Sequence, residues 1–150
     1  MAGSDVYLFV YGTLLSDVPS AMSQYLNREG RLVSQVRLPG WLFDLGQYPG
    51  FVYDPNAPHS ALGEIYKLSR PEQSLAILDT YEGINPDPYA VNEYARLKVA
   101  APPEAGEEVT ELFVYSYLGK TEGLRLIPDG DYRRYYPKSA RHLSFIERGR

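Results

Sequence analysis

The sequence contains no cysteine, two histidines and one tryptophan. Without cysteine, thiol nucleophiles, disulfides and thiolate metal sites are excluded. His59 and His142 stand far apart, in a loop and in a tail, with no carboxylate or second histidine at metal-ligand spacing. Both read as surface residues, and neither a metal nor a cofactor is expected. Positive charge is also short: 15 Lys and Arg face 19 Asp and Glu, a net charge of −4, with no basic block. That balance argues against nucleic acid and anionic membrane as partners. No apolar run reaches membrane-spanning length, and Met1-Ala2-Gly3-Ser4-Asp5 does not open a basic segment followed by an apolar one. The expected location is the cytoplasm. No G-x-S-x-G or Walker pattern occurs.

What is present suits one folded domain over residues 1–150. Hydrophobic residues make up 44% and charged residues 23%, near globular averages, so a core can form. The 14 tyrosines favour strands, and pockets that are apolar with a polar tip.

Val6–Tyr11 is apolar on both faces and predicts a central buried strand, stopped by Gly12. Ser16–Ser20 carries helix-start chemistry, and Gly30 is a natural end. Residues 32–53 mix β-branched and aromatic residues with Pro39-Gly40 and Pro49-Gly50, which predicts bent or bulged strands. Asp54–Pro58 is an exposed loop. Leu62–Leu68 alternates with period two, as a half-buried strand does. Ser69-Arg70-Pro71-Glu72 reads as a capping box opening a helix through about Glu82, with Gly83 as its stop. Asn85–Pro88 is loop. Tyr94–Ala100 and Glu111–Leu118 are strands joined by a polar connection, Gly130–Tyr136 is a short helical turn, and Ser139–Glu147 a final helix. The sum is α+β: a small mixed β-barrel with flanking helices.

Two places carry chemistry. On the helix after Ser69, Leu75 and Leu78 set the inward stripe, and Glu82 falls on it. Burial and the negative end of the helix dipole both disfavour a charged carboxyl there. Asp79 is near enough to add like-charge repulsion. A carboxyl tuned upward suits acid/base work at neutral pH. The alternatives are a slightly rotated helix with Glu82 in solvent, or an ion pair between Glu82 and Arg96. The second place is the turn Tyr11-Gly12-Thr13-Leu14. Gly12 permits positive φ and close backbone approach, so the N–H groups of Thr13 and Leu14 can share a concavity that accepts an anion, or the turn is an ordinary one. Tyr115 and Tyr117 alternate on one strand with Tyr94 across the sheet. Most such tyrosines are core, and one with its hydroxyl in a pocket could orient a substrate. Arg133-Arg134 reads as a solvated face.

In order, Phe9-Val10-Tyr11-Gly12-Thr13-Leu14, Gly63-Glu64-Ile65-Tyr66, Leu78-Asp79-Thr80-Tyr81-Glu82-Gly83, Tyr94-Ala95-Arg96 and Val114-Tyr115 resemble the γ-glutamylcyclotransferase-like superfamily. Within it, the chain looks most like the avirulence-induced-gene-like proteins and γ-glutamylamine cyclotransferases. The resemblance covers about residues 6–136. It implies a pocket between the turn and the acid, with Glu82 catalytic. The substrate's γ-glutamyl part would be bound by backbone groups of Tyr11, Gly12, Thr13 and Leu14, with Tyr115 beside it and Asp79, Tyr94 and Arg96 in support. The implied reaction converts a γ-glutamyl amide to 5-oxoproline and a free amine, with no metal and no cofactor. The spacer Gly83–Glu93 is longer than in compact members, and Gly130-Asp131-Tyr132 looks like bacterial-type members. The rival expectation is a non-catalytic barrel that binds a small acidic metabolite and has no use for an ionisable group at position 82.

Overall fold

The apolar run near the start of the chain becomes β1 (Tyr7–Val10), with every side chain buried. A strand without a polar face must be covered on both sides. β1 accordingly lies inside the sheet, antiparallel to β4 (Ser60–Leu68) and parallel to β6 (Glu111–Tyr117). The computed structural model describes residues 5–87 and 89–148. The readings given above for Met1–Ser4 and Pro88 lie outside the described residues.

β2 (Gly30–Asp44) is a long strand that serves two partners. Its first part pairs with β4, with a bulge between Leu32 and Ser34, and Gly40–Asp44 pairs with β3 (Pro49–Tyr53). The bulge and the Pro39-Gly40 step bend it, as the mixed composition predicts. β5 (Tyr94–Ala100) is antiparallel to β6, and the two-residue β7 (Arg125–Leu126) pairs with the end of β2. The strand order is β3-β2-β4-β1-β6-β5. The sheet curls until its ends meet. The Tyr53 N–H donates to Ser116 Oγ at 3.1 Å, and the Tyr94 hydroxyl donates to the Pro49 carbonyl at 2.8 Å. The result is the curled, barrel-like α+β architecture expected from the sequence.

Helices flank the sheet. α1 (Ala21–Glu29) is capped by Ser20, whose Oγ accepts from the Ser23 N–H at 3.1 Å. α2 (Pro71–Tyr81) starts later than the capping box implied. The residue before a proline resists helical geometry, so Arg70 is the cap and Pro71 takes the first helical position. The Ser69 N–H instead donates to the Glu29 carbonyl at 3.1 Å. α3 (Tyr132–Tyr135) passes through a 3₁₀ turn at Tyr136–Lys138 to α4 (Ala140–Arg148). β4 is buried more fully than its alternation suggested, since Glu64, Ile65 and Tyr66 are all enclosed. It lies between two strands, and Glu64 has partners of its own. Among the described residues, no helix is long and apolar enough to cross a membrane.

Candidate active site

Leu75 and Leu78 bury the inner face of α2, and Glu82 follows as its C-terminal cap, half-buried. The helix ends in a fixed way. The Gly83 N–H donates to the Thr80 carbonyl at 3.0 Å and the Ile84 N–H to the Asp79 carbonyl at 2.9 Å, with Gly83 at φ 73°. This left-handed stop comes without steric cost only at glycine. It sets where the chain leaves the helix, and so where Glu82 stands.

Opposite, β1 runs into the turn Tyr11–Leu15, closed by the Leu15 N–H donating to the Gly12 carbonyl at 3.0 Å. Ser20 Oγ donates to the Thr13 carbonyl behind the turn. Thr13 Oγ1 and the Tyr81 hydroxyl lie 3.0 Å apart and tie the turn to α2. Of the two freedoms expected of Gly12, positive φ is not used and close approach is. A Cβ there would lie 2.6 Å from Pro49 Cγ, so glycine is required by close approach rather than by backbone handedness.

The turn residues Tyr11, Gly12, Thr13 and Leu14 line one cleft with Glu82, Tyr94 and Tyr115. The two stretches singled out in the sequence therefore meet. Asp79 and Arg96 stand behind this wall. The Tyr115 hydroxyl donates to Asp79 Oδ1 at 2.7 Å, and Arg96 Nε lies 3.0 Å from the same oxygen. Arg96 also sits over the Phe113 ring at 4.8 Å. Arg96 thus pairs with Asp79, and its charge offsets the repulsion expected between Asp79 and Glu82.

Burial, followed by the charge of Glu82, pushes the Tyr11 hydroxyl well above its usual titration range. Tyr94 is raised by burial first, then by the neighbouring Tyr11 hydroxyl and the charges of Glu82 and Glu93. Tyr115 is raised by burial, then by its bond to Asp79 and that residue's charge, and then by Glu82. The phenols therefore stay protonated near neutral pH and serve as donors. Tyr11 donates to the Tyr115 carbonyl at 2.8 Å. One carboxylate acts electrostatically on three neutral tyrosines.

Tyr48, Pro49, Tyr81 and Phe145 also line the cleft and were not anticipated. Tyr81 had a signal, being next to Glu82 in the quoted motif. Phe145 could have been found from His142, Phe145 and Ile146 sharing one face of the last helix. His142 itself corrects an expectation: it is fully buried, with Nε2 2.8 Å from Asp44 Oδ1 and Nδ1 2.9 Å from the Tyr132 hydroxyl. His59 is exposed as expected, against Trp41 at 4.8 Å. Arg134 is exposed, but Arg133 is not a solvated side chain. It bonds to buried Glu64 and, through Nε at 2.7 Å, to Asp17 Oδ1. Glu64 accepts from both the N–H and the Oγ of Ser16 at 2.7 Å, so it holds the far end of the turn from below. Among the described residues, no group of three His, Asp or Glu is placed to hold a metal ion.

Solved structures with this fold include a protein of Pyrococcus horikoshii, PH0828, at 17% identity and TM-score 0.62, over 86% of this chain and 91% of that one. The ytfP protein of Escherichia coli is 26% identical with TM-score 0.58, over 85% and 96%. An aig2-like protein of Mus musculus is 24% identical with TM-score 0.59, over 86% and 90%. No curated protein matches the chain in sequence. Residues 8–134 match the family described as Gamma-glutamyl cyclotransferase, AIG2-like, and the chain belongs to that family.

Proposed function

We propose that the protein cyclises a γ-glutamyl amide, with Glu82 carrying the proton. The α-amine of the glutamyl group attacks its own γ-carbonyl carbon, a five-membered ring closes, and the bond to the amine nitrogen breaks. The products are 5-oxoproline and the free amine. Glu82 accepts the proton that the attacking amine loses and delivers it to the leaving nitrogen, so no charge accumulates over the cycle. Nucleophile and electrophile share one molecule, so the protein need only fold the substrate and move a proton. That suits a chain without cysteine. A shuttle of this kind contributes about 10²–10⁴-fold. The turn Tyr11–Leu14 binds the glutamyl end, and Tyr94 and Tyr115 close the wall beside it, with Asp79 and Arg96 fixing Tyr115.

The observation that carries this reading is the shared cleft: a half-buried carboxylate at a helix end facing the turn after β1, in a chain of this family. Incubation with γ-glutamyl-ε-lysine, γ-glutamyl dipeptides, γ-glutamyl alkylamides and glutathione tests it. The expected result is 5-oxoproline from at least one compound, in equal amount with free amine. Binding without 5-oxoproline from any of them would favour the binding barrel instead.

A further inference from the structure

The cleft between the turn and Glu82 is nearly full. About 30 Å³ of free space remains inside it, room for about two water molecules. A glutamyl group is several times larger, so the chain as folded excludes it. One side chain that fills this space belongs neither to the sheet, nor to the turn, nor to α2. Phe145 comes from α4, is 8% exposed, and sets its ring 5.0 Å from that of Tyr48.

α4 is attached differently from the elements around it. Among the described residues, no backbone hydrogen bond joins it to a strand. Side chains hold it instead. His142, fully buried, lies with Nε2 2.8 Å from Asp44 Oδ1 and Nδ1 2.9 Å from the Tyr132 hydroxyl, and Ile146 is buried one turn on. α3, just before it, is fixed at more points. Arg133 is bound to buried Glu64 and to Asp17, and the Tyr135 hydroxyl donates to Asp44. Between the two helices, the 3₁₀ turn Tyr136–Lys138 ends at Ser139, whose backbone is extended and whose carbonyl accepts from the Leu143 N–H at 3.0 Å. A change of backbone angles at exposed Lys138 and at Ser139 turns α4 as a body and leaves α3 and the sheet in place.

Resting on the reading of this cleft as the substrate site, we infer that α4 is an autoinhibitory strap. Phe145 occupies the substrate's place in the resting protein, and α4 swings about Ser139 to admit the ligand, releasing His142 from Asp44. The closed form therefore competes with the substrate. The affinity measured is that of the open form reduced by the fraction of molecules that are open.

The chain has no cysteine, so a single introduced thiol reports opening without background. Ile146→Cys places a buried thiol on α4, and Val114→Cys places one in β6. With an excess of a disulfide reagent, the first should be labelled about 10-fold or more faster than the second, at a rate that low urea hardly changes, since only α4 need open. In a Glu82→Gln background, which does not consume the amide, saturating γ-glutamyl methylamide should raise the rate at Ile146→Cys by about 10-fold, because the ligand holds α4 open. A lid that closes on its ligand would slow it. Phe145→Ala should lower KM for the same amide by about 10-fold, whereas a ring that binds the substrate would raise KM on removal. Equal labelling of the two thiols, slower labelling with the amide, or a KM that holds or rises in Phe145→Ala would each overturn the inference. If no 5-oxoproline forms, cyclisation fails, and the strap is read from labelling and from calorimetry. The amide should then bind Phe145→Ala about 10-fold tighter than wild type, and an affinity no higher than wild type would overturn the inference.

Discussion

The two flanks of the cleft are built by different means. One is local: Leu75 and Leu78 orient α2, Gly83 stops it, and Glu82 stands at its end, facing a turn that Gly12 allows to pack on Pro49. The other hangs on bonds between residues far apart in the chain, with Asp44 joining the loop that carries Tyr48 to the helix that carries Phe145. The helix of the first flank is set by its own periodicity and terminal glycine, while its turn is braced from outside by Glu64. A flank tied through one carboxylate shifts with it.

The sharpest test of the local flank is Glu82→Gln, which keeps shape and removes the proton acceptor. Turnover should fall by about 10²-fold or more while ligand affinity and the folded spectrum stay close to wild type. Activity within a few-fold of wild type would remove Glu82 from the chemistry.

Next in size is Glu64→Gln, which strikes the same flank from behind. Glu64 is 3% exposed and bonds to Ser16 and Arg133. Breaking a buried charge pair costs about 3 kcal/mol, and Arg133 keeps Asp17 as its other partner. A fall in melting temperature of about 10 °C is expected for a chain of this size. A change under about 2 °C would show that the Arg133 bond adds little to stability and that the turn is held by its own backbone.

These two glutamates also mark what the sequence discloses. Glu82 is legible because its position follows from a stripe two leucines long and a glycine stop, all within one helix. Glu64 sits in an alternating strand whose burial pattern gives no hint of Ser16 or Arg133. Those partners come from a loop and from a helix near the other end of the chain, and no local period encodes them. His142 misleads for the same reason. In the sequence it is an isolated ring in a tail, and only α4 packing back on β2 places it against Asp44. The Ser69 capping box fails more locally, because the proline two residues on imposes a geometry that overrides the cap pattern. The strand order around β1 was legible only as far as β1 being central. The curl that brings Tyr53 to Ser116 depends on the bend in β2.

A smaller effect is expected from Gly12→Ala. The added Cβ meets the Pro49 ring, whose carbonyl holds Tyr94, so the disturbance spreads through the cleft lining. kcat/KM should fall by about 10-fold with most of the loss in KM, since the turn contributes binding rather than proton transfer. A loss confined to kcat would place the turn nearer the reacting atoms.

The least effect, and the one that isolates the second flank, comes from titrating Asp44. Burial pushes this carboxyl up, but the hydrogen bonds from Tyr135, His142 and the Gly46 N–H together pull it below the usual carboxylate range. A carboxyl with a lowered folded value binds its proton less readily folded than unfolded. Its stabilisation is therefore complete above the ordinary aspartate range, and it is lost as pH falls through the folded value. Asp44→Asn should be less stable than wild type by about 1–2 kcal/mol at pH 7, the contribution of hydrogen bonds to a charged group. The gap should narrow between about pH 5 and pH 3, because wild type loses there what the variant never had. Urea unfolding of both proteins across that range measures it. A gap that stays constant to pH 3 would mean that Asp44 acts through shape alone, so that the loop of Tyr48 and the helix of Phe145 are joined by packing rather than by charge.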